Sequence, residues 1–351
     1  MKIALLTIWH EKNYGAVLQA YATIKALKLL GHNPYMINIH IKDTVESTFW
    51  GKIANIIENF TPATYKFNRF WKKFIPITKK YDNIDKLYSH PPVADCYIVG
   101  SDQVWNPDIT KKYWKIFFLD FGSKETKRIS YASSIGVNKW MYDLYTESIH
   151  KLLLNFSHVT CREETGVEIL KDVFGISAKC VLDPTLLFDS YDEFVPKRKE
   201  NKTLVYYPLS EDYELESYCN ELAYKLGLKP VNTNKKITIL GKLIFNRVGV
   251  EDWVNNIANA NFVITRSFHG LAFCLIFKKQ FAILQSRNGR GTRLENLLSK
   301  LHLSNRIYCS TAQMDLCKPW EETIDYSKVT PILESLRLQS WIIFKKMLEE
   351  K

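Results

Sequence analysis

Four short apolar runs in this chain each stop at a polar turn, most of them ahead of a helix, and this repetition limits the possible folds more than any other feature. Lys2 to Trp9 is the first run. It is followed by the polar stretch His10 to Tyr14, and Gly15 then opens an amphipathic helix carrying Ala16, Val17, Ala20, Ile24 and Leu27 and closed by Gly31. Tyr97 to Gly100 leads into Ser101-Asp102-Gln103, and Ser157 to Thr160 leads into Cys161-Arg162-Glu163-Glu164-Thr165-Gly166. Asn261 to Ile264 leads into Thr265-Arg266-Ser267-Phe268-His269-Gly270, ahead of a helix from about Leu271 to Phe277. Strands alternating with helices from end to end argue for an α/β protein. Ligands of open α/β sheets sit outside the carboxyl ends of the strands, so polar turns at these ends suggest one cleft.

The turn after Ile264 carries the most chemistry, because it gathers a cation, a hydroxyl and an imidazole where strand gives way to helix. Unpaired N–H groups and partial positive charge at a helix N-terminus suit a phosphate or carboxylate, and His269 is able to move a proton there. The plainer reading makes Ser267 an N-cap and His269 a buried, satisfied side chain. At the first turn, Asn13-Tyr14-Gly15 lets backbone approach a ligand, but G-x-G-x-x-G is missing and with it the dinucleotide fingerprint.

A chain of 351 residues with 46% hydrophobic content is long enough for two packed cores. The boundary is expected after Asp183-Pro184-Thr185, since Phe188 to Asn201 is polar, charged and aperiodic like a linker. A strand at Thr203 to Pro208 and a helix from Glu211 to Leu226 then begin a second half. The expected division is an N-terminal α/β domain over 1–188, a C-terminal α/β domain over 202–330, and a last helix over 331–351. That helix sets Ile332, Leu333, Leu336, Trp341, Ile342 and Phe344 among basic residues, which suits packing back on the protein or lying on a membrane surface; packing is favoured. No apolar run of about eighteen residues is present to span a bilayer, and the chain enters a strand with only Lys2 before it, unlike a secretory signal. The seven cysteines are scattered without a C-x-x-C, as in reduced thiols of a cytoplasmic protein. No carboxylate or histidine cluster has metal-ligand spacing, so no metal is expected.

The formal net charge of +11 is unevenly placed. Its densest patch, Tyr65 to Tyr81, holds six basic residues (Lys66, Arg69, Lys72, Lys73, Lys79, Lys80), no acid and six aromatics. Such interleaving suits an anionic membrane surface, or a solvated helix face over a small aromatic core. A nucleic-acid partner is not expected, because no RNA- or DNA-binding module is legible.

Six segments in order then point to a family: Asn13-Tyr-Gly-Ala-Val-Leu-Gln-Ala-Tyr21, Val99-Gly-Ser-Asp-Gln-Val-Trp-Asn-Pro107, Lys127-Arg-Ile-Ser-Tyr-Ala-Ser-Ser-Ile-Gly136, Cys161-Arg-Glu-Glu-Thr-Gly166, Leu182-Asp-Pro-Thr185 and Ser267-Phe-His-Gly270. With these the chain resembles the polysaccharide pyruvyl transferase family over roughly residues 1 to 300. The resemblance implies a glycosyltransferase-B-like fold, with two Rossmann-like α/β domains facing a cleft. It also implies transfer of pyruvate from phosphoenolpyruvate to sugar hydroxyls as a ketal. Where members of the family often carry Arg-x-His, this chain has Ser267-Phe-His269, with its arginine one place earlier at Arg266.

On that reading, phosphoenolpyruvate is a co-substrate and no cofactor is needed. Its carboxylate and phosphate call for arginine forks, and Arg162, Arg266, Ser267 and Arg293 are the expected donor-binding residues. Arg293 closes the basic, glycine-rich stretch Arg287 to Arg293. Ketal formation needs one group that gives a proton and one that accepts one; His269 is assigned as the acid and Asp102 as the base, with the roles open to exchange. Asn13, Tyr14 and Gln19 are placed on the acceptor side, where a sugar or lipid-linked oligosaccharide would bind. The expected setting is the cytoplasm, with peripheral contact at the inner membrane face. Two rival readings are a nucleotide-sugar glycosyltransferase on the same fold and a non-catalytic membrane-surface binding protein.

Overall fold

The computed structural model describes residues 1–9, 13–39, 62–199, 201–209, 212–234, 236–239, 242–245, 248–285 and 291–350. The chain divides into two compact units. Met1–Lys42, Lys72–Leu187 and Ile332–Lys351 make the first, and Asp43–Trp71 with Phe188–Pro331 the second.

In the first unit, β1 (Lys2–Leu6), β2 (Asn33–Met36), β3 (Cys96–Val99) and β4 (Lys127–Ser130) form a parallel sheet in the order β2-β1-β3-β4. Its register sets Ile3 opposite Cys96 and Leu6 opposite Val99. β3 is buried along its whole length and β1 at all but Lys2; these are unbroken apolar runs, as a sheet covered on both faces requires. The chain passes from β1 to β2 on one side and returns to β3 on the other. Between β1 and β3 the order reverses, the place where open parallel sheets form their ligand crevices.

Helix α1 (Tyr14–Leu29) makes the first crossover, and Gly31 at φ +81° turns the chain out of it. The expected amphipathic helix is instead enclosed on nearly every side: of its described residues only Lys25, Lys28 and Leu29 are not fully buried. Burial on the polar side is tolerated because Gln19 and Thr23 bond internally, Thr23 Oγ1 donating to the Gln19 carbonyl at 2.8 Å.

The unit continues through α2 (Pro62–Phe74), which crosses the boundary between units, α3 (Asp143–Leu153), β5 (Thr160–Cys161), α4 (Glu164–Phe174) and β6 (Lys179–Cys180). β5 and β6 pair in parallel.

In the second unit, β7 (Thr203–Tyr207), β8 (Lys229–Asn232), β11 (Phe262–Thr265), β12 (Gln280–Leu284) and β13 (Ile307–Tyr308) form a parallel sheet in the order β13-β12-β11-β7-β8. Between β8 and β11 lies the antiparallel pair β9 (Lys236–Ile239) and β10 (Lys242–Phe245). The order reverses between β7 and β11. Covering helices are α5 (Tyr213–Lys225), α6 (Val250–Ala258), α7 (Phe268–Ile276), α8 (Thr292–Lys300) and α9 (Thr311–Cys317). Trp253 packs edge-on against Tyr207 and Phe273 at 5.5 and 5.4 Å, joining β7, α6 and α7 into one core.

Three boundaries differ from the sequence expectation. The stretch after Phe188 is no loose linker, because Phe188, Tyr191, Phe194 and Val195 are buried, with Tyr191 5.0 Å from Phe273 and Phe194 5.5 Å from Phe70. Apolar residues spaced three and four apart among the charges hold it to the second unit. The basic aromatic patch does not belong wholly to the N-terminal domain, since it divides at Trp71 and Lys72. The last helix, α10 (Tyr326–Glu349), starts five residues before Pro331, so the proline lies inside it and removes one N–H rung near its start.

The later part of α10 lies in the first unit. Arg337 Nε donates to the Leu186 carbonyl at 2.9 Å, Trp341 Nε1 to the Leu187 carbonyl at 3.0 Å, and Phe344 stacks on Tyr131 at 3.9 Å. No described helix is long and apolar enough to cross a membrane, and none of the seven cysteines is in a disulfide.

Candidate active site

The carboxyl edge of the first sheet is organised around one arginine. Directly after β3 comes Gly100, where a Cβ would lie 3.2 Å from both Thr7 Cβ and Leu5 Cδ1, so a side chain there would press on β1 and the residue after it. Ser101 follows, and then Asp102 in the left-handed region at φ +79°, a conformation costing about 1–3 kcal/mol for a residue with a side chain. Two bonds to its carbonyl hold it there, from the Val104 N–H at 2.8 Å and the Ser134 N–H at 2.9 Å.

Arg162, at the end of β5, is completely enclosed. It donates to Asp183 Oδ2 at 3.0 Å, Asp102 Oδ1 at 3.2 Å and Ser101 Oγ at 3.3 Å, with Glu163 Oε2 at 3.8 Å. Burial by itself would lower the pKa of this guanidinium; the carboxylates of Asp102, Asp183 and Glu163 outweigh it and raise the pKa. Each buried acid has further partners. Asp183 takes the Ser101 hydroxyl at 2.7 Å and the Thr185 hydroxyl at 2.7 Å, and Glu163 Oε1 takes the Ser134 hydroxyl at 2.8 Å and the Ile135 N–H at 2.9 Å. Of the three acids only Asp102 reaches the surface, its side chain 19% exposed.

This corrects the place given to Arg162. Its two terminal nitrogens are engaged from inside the unit by Asp183, Asp102 and Ser101, and its side chain is fully enclosed, unlike an arginine presented to a ligand. The acceptor-side assignment is corrected in the same way for Tyr14 and Gln19, which are both fully buried. Gln19 Nε2 donates to Thr7 Oγ1 at 2.9 Å, and Thr7 Oγ1 donates to the Ser101 carbonyl at 2.6 Å, tying α1 into the Arg162 network across the point where the strand order reverses. Asn13 is half-buried and is the N-cap of α1, its Oδ1 accepting from the Gly15 and Ala16 N–H groups at 2.9 and 3.3 Å. Cys161, inside a quoted segment, is fully buried, and burial raises its thiol pKa well above the ordinary value.

The carboxyl edge of the second sheet carries the other candidates. Thr265 Oγ1 accepts from the Ser267 N–H at 3.0 Å and donates to the Tyr207 carbonyl at 3.2 Å, linking β11 to β7. Helix α7 packs directly on this threonine, and a Cβ at Gly270 would fall 2.6 Å from its Oγ1. Ser267 is the N-cap of α7, accepting from the Gly270 N–H at 3.3 Å. His269 sits in the first turn of α7, 7% exposed, edge-on to Phe268 at 5.4 Å.

Arg266 pairs with Asp212, the N-cap of α5, at 3.0 Å and donates a second bond to the Gln285 carbonyl. The pair spans the reversal point between β7 and β11, each side chain 13% exposed. It lines a cavity of about 220 Å³ with Glu214, Leu215, Cys309 and Thr311. Arg293 is half-buried in the first turn of α8 and does not line this cavity. Arg287 and Arg290 lie outside the described residues.

Sequence reasoning missed Asp212 and Asp183 as partners, and Glu163, which as a neighbour of Arg162 is a natural surface partner for it, is instead buried beside it. Asp212 shows the local signal of an N-cap, and Asp183 and Glu163 stand inside quoted segments. Their pairing is a tertiary fact without periodicity.

Among known proteins, the family model described as polysaccharide pyruvyl transferase matches residues 13–288. No curated protein matches the chain in sequence. Similar solved structures include the UDP-GlcNAc 2-epimerase of Methanocaldococcus jannaschii, 12% identical with a TM-score of 0.52 and covering 93% of each chain. The UDP-N-acetylglucosamine 2-epimerase of Rickettsia bellii is 11% identical with a TM-score of 0.51, over 99% of this chain and 96% of that one. A co-structure of S. aureus MnaA with UDP is 11% identical with a TM-score of 0.52, over 95% of this chain and 91% of that one. At such identities the likeness is one of fold, two Rossmann-like units of the glycosyltransferase-B kind. The match across residues 13–288 goes further, and by it the chain belongs to the polysaccharide pyruvyl transferase family.

Proposed function

We propose that the protein transfers the pyruvyl group of phosphoenolpyruvate to hydroxyls of a sugar, in a cell-surface polysaccharide or its lipid-linked precursor, forming a ketal and releasing phosphate. The observation that carries this reading is the family match over residues 13–288. Five of its quoted segments supply the network that holds Asp102 at a strand end.

The reaction requires protonation of the methylene carbon, attack of one sugar hydroxyl at C2, and cleavage of the C2–O bond to phosphate. A second hydroxyl of the same sugar then attacks C2, and the protons of both hydroxyls leave to bases or departing phosphate. Asp102 fits the base toward an acceptor hydroxyl, because Arg162 holds it from behind while part of it stays exposed. His269 fits the proton donor, at a helix N-terminus beside Arg266 in sequence. Arg266 fits the donor anion, with Asp212 fixing its fork. No step needs a metal ion, and none is assigned.

The protein is proposed to work in the cytoplasm, meeting anionic lipid chiefly through charge. The Tyr65–Tyr81 patch offers a membrane few aromatics: Phe67 and Phe70 are buried, and Lys66 pairs with Asp252 at 2.6 Å. Arg69 is exposed but lies 3.9 Å from Glu251, and Lys72, Lys73, Lys79 and Lys80 are further exposed cations of the patch.

The test is inorganic phosphate release from phosphoenolpyruvate, with and without a sugar-lipid acceptor, run beside nucleotide release from UDP- and GDP-sugars. Acceptor-dependent phosphate release is expected. Nucleotide release with phosphoenolpyruvate untouched would replace this reading with a glycosyltransferase.

A further inference from the structure

At the amino ends of β5 and β6, on the edge of the first unit opposite Asp102, lies a second cavity of about 330 Å³. Its apolar wall comes from Leu153, Phe156, Ile343 and Met347, contributed by α3, the loop after it and α10. Its polar rim holds His158, Lys179 and Lys346, and Glu350 is the sole acid among the described lining residues.

Among the described lining residues the cations outnumber the acid. Glu350 lies 3.2 Å from Lys346 Nζ and 3.6 Å from His158 Nε2, a separation at which the imidazole nitrogen makes no hydrogen bond. Lys179 is exposed and forms no ion pair with a described residue. Close by, the Lys127 ammonium sits on the carbonyls of Leu348 and Glu350 and forms no ion pair with a carboxylate among the described residues. Burial first, and then Lys127, Lys179 and Lys346, lower the His158 pKa against the pull of Glu350, as expected where cations outnumber acids. The site therefore joins an apolar wall to a rim short of negative charge, and Glu350 occupies the place an anion would take.

We propose that this cavity binds a small amphipathic anion, a phosphate monoester or carboxylate bearing a short apolar group. The head would meet His158, Lys179 and Lys346 in place of Glu350, and the apolar group would lie on Leu153, Ile343 and Met347. This site is separate from the Asp102 edge, and the proposal does not depend on the transfer reaction.

Hexyl phosphate and inorganic phosphate serve as probes, titrated by calorimetry into the whole protein. Hexyl phosphate should bind more than about tenfold tighter, as burial of two or three methylenes provides. The double variant Lys179→Gln/Lys346→Gln should weaken it by about tenfold or more, with an unchanged melting temperature to show that the fold persists. Glu350→Gln should tighten binding by about threefold to tenfold, because it removes the competing carboxylate. Competition by vesicles with phosphate-monoester headgroups would identify a lipid as the source, and lack of competition a free anion; either result requires the hexyl phosphate site. Equal affinity for the two probes would mean an adventitious ion only and overturn the proposal. So would weaker binding in Glu350→Gln, or undiminished binding in the lysine double variant.

Discussion

Replacing Arg162 by alanine should unfold the first unit more readily, and by an amount that depends on pH. The guanidinium is wholly enclosed and holds Asp183, which is itself fully buried, while Glu163 beside it is 1% exposed. Removing one partner of a buried ion pair costs about 3–5 kcal/mol, chiefly through the charge left behind. Here more than one carboxylate is stranded, so the upper end of that range applies. A domain has about 5–15 kcal/mol in total, so the variant should be marginal at neutral pH. Without Arg162, burial would raise the folded-state pKa of the stranded carboxyls above their unfolded values near 4. A group with a raised folded pKa loses stability as pH climbs from the unfolded pKa through the folded one. The deficit against wild type should therefore be larger at pH 8 than at pH 5.

Urea denaturation followed by circular dichroism at both pH values measures this. Adding Asp183→Asn should recover about 1–3 kcal/mol, since a neutral amide leaves a smaller desolvation penalty than an orphaned carboxylate. A loss under about 1 kcal/mol at pH 8, combined with weakened phosphoenolpyruvate binding, would refute the network reading and return Arg162 to the donor site. A deficit independent of pH would refute the argument from stranded carboxylates.

His269→Ala should lower turnover by at least about a hundredfold, on the scale of acid–base catalysis, with the fold intact; equal turnover, or loss of thermal stability in step with activity, would make His269 a packing residue. Asp212→Asn should raise the KM for phosphoenolpyruvate more than it lowers kcat, because it loosens the Arg266 fork, and Arg266→Lys should impair binding despite keeping its charge; donor kinetics unchanged in both would move the donor pocket elsewhere, with Arg293 the next residue to test. Sedimentation with anionic vesicles should fall when Lys72, Lys73, Lys79 and Lys80 become Gln, and should be released by salt in the wild type, since exposed charges are screened within about 10 Å at 0.1 M; indifference to the four changes would make the patch a solvated face.

The features legible in the sequence are those that periodicity and local chemistry encode. β1, β3 and β11 read as buried parallel strands because Ala4 to Leu6, Tyr97 to Val99 and Phe262 to Ile264 are unbroken apolar runs. The caps at Asn13 and Ser267 follow from short polar side chains placed directly before helices. Helix α1 was misjudged because Gln19 and Thr23 count as polar in any pattern, yet internal hydrogen bonds let both be buried. The stretch after Phe188 was misjudged for the opposite reason, since its charges hide the buried apolar positions at 188, 191, 194 and 195.

Arg162 shows why motif residues resist assignment from sequence. An arginine at a strand end fits an anion site, but whether its fork faces outward or inward depends on carboxylates brought there by the fold. Asp183 is 21 residues away and Asp102 is 60 residues away, and no spacing rule joins either to Arg162. Once the three are together the division of labour follows from exposure. The side chains of Asp183 and Arg162 are fully enclosed, whereas Asp102, bonded to Arg162, still reaches the surface. Arg162, itself held by Ser101 and Asp183, thus fixes where one carboxylate points, while the bonds from the Val104 and Ser134 N–H groups to the Asp102 carbonyl hold its positive φ. Residues of the same matched segments can therefore differ in kind, a few reaching the surface and more of them buried and holding those few in place.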